Sequence, residues 1–111
     1  MTEQSTTPKK SRRQLLEGIV AQKPDDAFSR YGLALECTNA GDSTAADQHF
    51  RALIERSPEY IPGYQMYGQF LVREERKEEA RKVLNDGIAA ASKAGNQHAR
   101  SEMEALLSEL S

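Results

Sequence analysis

Tryptophan is absent from this chain, and aromatic residues of all kinds make up only 6% of its 111 residues. A core must therefore be built from aliphatic side chains, small residues and a few rings. The single cysteine, Cys37, excludes an intrachain disulfide framework and leaves no Cys-x-x-Cys metal pair. No run approaches the roughly 18 apolar residues of a membrane-spanning helix. The most apolar early stretch, LLEGIVA (15–21), is broken by Glu17 and is too short for a secretory core with a cleavage site. These absences predict a cytoplasmic chain stabilised by packing, with no membrane partner, and the length favours one domain. Period-two alternation is also missing, so no strand is expected.

Chemistry-bearing patterns are equally scarce. Neither a phosphate-cradling GxxxxGK run nor a GxGxxG turn occurs. His49 and His98 belong to no HxxxH or HExxH spacing, so they are read as surface or packing histidines and no metal is expected. Cys37 falls at an inward helical position, where a thiol serves as a small hydrophobe rather than as a nucleophile with a positioned base. Glu74, Glu75, Glu78 and Glu79 interleave with Arg73, Arg76, Lys77, Arg81 and Lys82. That run reads as solvated helix ends with pairs such as Glu78–Lys82 four residues apart. The chain is accordingly not expected to be an enzyme or to hold a cofactor.

Net charge is −2, unevenly placed. Residues 1–23 carry five basic and two acidic groups, and the remainder carries ten basic and fifteen acidic. The basic cluster KKSRR (9–13) is the one feature that suits nucleic acid. No aromatic or glycine interleaves it and the rest of the chain is acidic, so it reads instead as a solvated tail entering the first helix. Residues 1–10, polar and patternless, are expected to be disordered.

From Leu15 onward the pattern is helical. Leu15, Leu16, Ile19 and Val20 are expected on one face of a first helix, which Pro24 stops. A second helix spans about 26–39, with Asp25 or Asp26 as its cap and Gly41 as a left-handed terminator. Ser43 is the expected cap of a third, about 43–56. A fourth covers about 61–73 with Pro62 in its first turn. A fifth covers about 76–93, with Ala80, Val83, Leu84, Gly87, Ile88 and Ala91 in a stripe. A last helix covers about 97–110.

Spacing relates these helices. Pro24 and Pro58, Ala46 and Ala80, and Ile54 and Ile88 are each 34 residues apart. Leu33-Ala34-x2-Cys37 overlies Tyr67-Gly68-x2-Leu71, and Ala46-x3-Phe50 overlies Ala80-x3-Leu84. With Tyr64 preceding the second unit and Pro58 ending the first, this resembles the tetratricopeptide repeat, whose pattern is W-x2-L-G-x2-Y, then A-x3-F, then P. There are departures: Arg30 stands at the aromatic position of the first unit, Ser92 replaces the final Pro of the second, and Arg12 replaces a small residue in the first helix. The resemblance implies an all-α, right-handed superhelix of antiparallel helix pairs, about six helices. It divides 11–111 into a half repeat (11–26), repeats at 27–60 and 61–94, and a capping helix (96–110). Gly68 and Ala80 are expected to face each other where two helices cross.

The resemblance further implies a non-catalytic protein–protein interaction module, an adaptor or scaffold. Phe28, Tyr31, Leu35, Thr38, Gln65, Gln69 and Val72 would line a groove for a peptide or partner helix. Phe28, Tyr31 and Leu35 are equally consistent with packing against the first and fourth helices. Members that grip a C-terminal carboxylate use Lys and Asn on these faces. Tyr31, Leu35, Gln65 and Gln69 stand there instead, which argues against that clamp. A second copy of the chain is an alternative occupant of the apolar strip.

Overall fold

The computed structural model describes residues 9–110. Most of the segment expected to be disordered, 1–8, lies outside the described residues, while Lys9 and Lys10 are exposed. The described residues contain six helices and no strand: α1 (Arg12–Gln22), α2 (Ala27–Asn39), α3 (Ser43–Arg56), α4 (Ile61–Arg73), α5 (Lys77–Ala94) and α6 (Gln97–Ser108). None of them is long and apolar enough to cross a membrane.

Local chemistry fixes most of the helix starts. Ser11 caps α1 through a reciprocal box: its Oγ accepts from the Gln14 N–H at 3.1 Å, and its own N–H donates to Gln14 Oε1 at 2.9 Å. Asp26 caps α2 by accepting from the Ser29 N–H and hydroxyl. Asn96 caps α6 by accepting from the Ala99 N–H. The cap of α3 is Asp42 rather than the expected Ser43, which is the helix's first residue. The carboxylate at 42 accepts the Ala45 N–H, and also the Arg13 guanidinium at 2.9 Å, which ties α1 to α3. Asp and Ser are comparable caps, so position decides: the helix already begins at Ser43, which leaves residue 42 to cap it.

Three helix ends share one device. Gly41, Glu75 and Gly95 adopt left-handed φ angles of 77°, 61° and 73° after α2, α4 and α5. Behind them the N–H groups of Asp42, Arg76 and Asn96 reach back to Cys37, Leu71 and Ala91 at 2.8–2.9 Å.

Consecutive helices pack as hairpins: α2 on α3, α4 on α5, α5 on α6, and α1 on α2. The backbones of α2 and α4 meet, as do those of α4 and α6, whereas α1, α3 and α5 stay apart from one another. The even helices are therefore drawn together on the inner side of a curved two-layer array, and the odd helices splay on the outer side.

The core runs along the seam between the layers, through Leu33, Ala34, Cys37, Ala46, Phe50, Tyr67, Leu71, Ala80 and Leu84, all at most 3% exposed. Two crossings depend on missing side chains. A Cβ at Gly68 would lie 2.5 Å from Leu84 Cδ2. The group nearest Gly68 is thus Leu84, one turn beyond the expected Ala80. A Cβ at Gly87 would lie 2.5 Å from Tyr64 Cβ and 2.6 Å from Met103 Sδ, so α4, α5 and α6 converge there.

The expected apolar face of α1 is split. Val20 is buried and Leu16 packs on the core, but Leu15 is 54% and Ile19 41% exposed, because α1 has a neighbour on one side only. The expected Glu78–Lys82 pair is also replaced: Glu78 pairs with Arg81 at 2.8 Å and Lys82 with Asp86 at 3.2 Å.

Candidate functional site

The exposed side of the inner layer carries the residues expected to form a groove. On α2, Phe28 is 73% exposed, so it does not pack against the first and fourth helices. Tyr31 is half-buried, its ring edge-on to Tyr60 with centroids 5.7 Å apart. Leu35 and Val72 pack partly against the core. The Thr38 hydroxyl donates to Ala34 O at 2.9 Å, so its proton is used within its own helix. On α4, Gln69 is exposed, and Gln65 Nε2 donates to Glu102 Oε1 of α6 at 3.0 Å.

That last contact marks an open cleft of about 320 Å3 between α4 and α6. Gln65 and Gln69 form one wall; Glu102, Ala105 and Glu109 form the other, over Met103 and Leu106. The predicted strip is therefore divided. The two glutamines share a cleft with α6, while Phe28, Tyr31, Leu35, Thr38 and Val72 lie outside its lining. The α6 contribution does not follow from the sequence pattern, in which that helix reads as a cap. A signal was present: one further step of 34 from Val72 lands on Leu106.

The signature residues have structural surroundings. Leu33, Ala34, Cys37, Ala46, Phe50, Tyr64, Tyr67, Gly68, Leu71, Ala80 and Leu84 are buried; Pro58 is exposed, and its carbonyl accepts the Tyr64 hydroxyl at 2.6 Å. Phe50 stacks on Tyr67 with centroids 5.3 Å apart. Tyr67 also carries a polar junction that the sequence pattern did not reveal. Its hydroxyl donates to Asp47 Oδ1 at 2.6 Å, and Arg76 and Arg51 each approach the same carboxylate at 3.1 Å. Burial alone would raise the Asp47 carboxyl, but these donors outweigh it and hold the pKa below the ordinary 3.8. Burial, and then the bond to Asp47, push the Tyr67 phenol far upward, so it stays a donor.

Groups that could support catalysis are placed unfavourably for it. Cys37 is fully buried, and burial raises its thiol. His49 is held down chiefly by burial, with the Arg30 charge adding to the effect, and its Nδ1 has no hydrogen-bond partner among the described residues. Arg30 is buried, with Nη2 donating to Pro24 O at 3.2 Å and Nε without a partner among the described residues. Among the described residues no group of three or more His, Cys, Asp or Glu is arranged to hold a metal ion.

Comparison with known proteins gives the same architecture. A TPR repeat-containing protein of Pseudomonas aeruginosa is 30% identical over 95 residues, which cover 86% of this chain and 90% of that protein. A tetratricopeptide repeat domain protein from Salinibacter ruber, solved by NMR, superposes with a TM-score of 0.74 at 30% identity, covering 78% of this chain and 88% of the other. A Bordetella parapertussis protein solved in solution gives 0.75 at 26% identity, covering 92% and 89%. No family model matches the chain.

Proposed function

This chain belongs to the tetratricopeptide-repeat proteins, and on that premise we propose that it is a non-catalytic cytoplasmic adaptor that holds a peptide or partner helix on its inner layer. The module divides into a half repeat (11–26), repeats at 27–60 and 61–94, and a capping helix (96–110). The observation that supports this reading is the inner surface itself. Phe28 stands 73% exposed at one end, and the α4–α6 cleft opens at the other. An exposed phenylalanine forgoes roughly 1.5–3 kcal/mol of burial that a partner would restore. Phe28, Tyr31, Leu35 and Val72 supply apolar contact, and Gln65 and Gln69 offer amide donors and acceptors to an extended backbone.

Affinity capture from the source organism with wild-type, Tyr31→Ala and Gln69→Ala chains tests the surface. Loss of the same partner from both variants is expected. A partner retained equally by both would place the binding surface elsewhere. A second copy is the competing occupant, because Phe28 could be buried by self-association. Light scattering at high micromolar concentration decides this, since a monomer there removes the alternative.

A further inference from the structure

Resting on the inner-surface reading above, we propose that the α4–α6 cleft selects a cationic segment, an extended peptide presenting Lys or Arg beside an apolar residue. The lining carries two carboxylates, Glu102 and Glu109, and no cation. Glu102 is the more engaged: Gln65 donates to Oε1, and His98 Nε2 lies 3.3 Å from Oε2. Glu109 makes no hydrogen bond or ion pair through its side chain among the described residues. It stands at the C-cap of α6, where the helix dipole adds negative potential. Arg73, the last residue of α4, is outside the lining.

The floor differs in kind from the rim. Met103 is 1% exposed and Leu106 half-buried, so the base is apolar. A cleft with an apolar base and an anionic lip matches a side chain with an aliphatic stem and a charged tip. Lys and Arg have that form: the stem would lie over Leu106 and the head would reach Glu109 or Glu102. A volume of about 320 Å3 accommodates one or two side chains rather than a folded domain. An acidic peptide would bring like charge against both carboxylates, and the described lining holds no cation to offset it; the Arg81 guanidinium, beside the end of α6, is engaged by the Leu110 carbonyl at 2.8 Å and by Glu78. Met103 holds its place because Gly87 carries no side chain, so the crossing of α5 and α6 also shapes this floor.

Two fluorescein-labelled peptides test the proposal by anisotropy: one alternates Leu with Arg and Lys, and its twin carries Glu at each basic position. Binding of the basic peptide is expected, weakened about tenfold in the Glu102→Gln, Glu109→Gln double variant and weakened again as salt is raised from about 50 to 300 mM. Both residues are exposed, and Gln keeps the acceptor for Gln65, so the variant should fold. Amide NMR shifts of Gln65 and Gln69 should move with the basic peptide only. If both peptides bind alike, or the acidic one binds better, the charge selection is wrong while the inner-surface reading stands. If neither binds at millimolar concentration and neither glutamine shifts, the cleft is no peptide site and the proposal fails, while the inner-surface reading is still decided by capture with the Tyr31→Ala chain, whose residue lies outside the cleft.

Discussion

Gly18, Gly68 and Gly87 all lie inside helices, where glycine costs roughly 1 kcal/mol relative to alanine. What a methyl group would meet separates them. At Gly18 there is nothing within 4 Å, so Gly18→Ala should stabilise the chain by about 0.5–1 kcal/mol in urea denaturation. At Gly68 the methyl meets the tip of Leu84, a side chain with no exposed surface and little room to turn. At Gly87 it meets Tyr64 Cβ, which the α4 backbone holds in place. Overpacking costs about 1–3 kcal/mol, more than the propensity gained, so both substitutions should destabilise, Gly87→Ala more than Gly68→Ala. The reverse order, or a gain at either site, would mean that these helices do not cross as closely as the structure has them. Glu75 supplies a converse case. Its φ of 61° burdens a residue with a Cβ by about 1–2 kcal/mol, and Gly41 occupies the corresponding turn 34 residues earlier. Glu75→Gly should raise the melting temperature, whereas the same change at exposed Glu78, in the first turn of α5, should lower it.

Between elements, the junction at Asp47 links α3 to α4 and to the residue that precedes α5. Because the folded carboxyl is held below 3.8, its contribution is present above about pH 4 and is lost as pH falls through the lower folded value. Asp47→Asn should therefore destabilise the chain at pH 7 by about 1.5–3 kcal/mol, the range for hydrogen bonds to a charged group. The difference from wild type should shrink when unfolding is repeated near pH 3. A gap that stays constant with pH would show that the carboxylate's charge plays no part. This junction was illegible in the sequence because it is not periodic: 34 residues on from Asp47 stands Arg81, and 34 before it Arg13. The helices, the seam of small and bulky residues and the left-handed turn at Gly41 were legible because each follows a local rule. The inner cleft was half legible. Gln65 and Gln69 follow from helical geometry, but Glu102 and Glu109 depend on how closely α6 lies beside α4, which no local pattern encodes.

Across the whole molecule, the radius of gyration is 16.2 Å, against about 13 Å for a compact domain of about a hundred residues. In such an elongated array each helix is held by its neighbours in sequence, so stability is a sum of local interfaces and should fall toward the ends. The two ends are not equivalent. At the C-terminal end, α6 touches both α5 and α4 and buries Ala99 and Met103. At the N-terminal end, the 11-residue α1 packs its backbone on α2 alone and buries only Val20. Its ion pairs, Arg12–Glu36 and Arg13–Asp42, are surface pairs worth at most about 1 kcal/mol each. A helix so short does not persist without tertiary contacts. Native-state hydrogen exchange should therefore show the amides of α1 opening first, with protection rising through α2 to a maximum in α4 and α5 and α6 intermediate. Gly18→Ala should raise protection in α1 and leave α4 and α5 close to unchanged, because the added helical preference acts within one unit of the array. Equal protection along all six helices, or a gain spread evenly by that substitution, would mean that the chain unfolds as one globule and not as a row of neighbours.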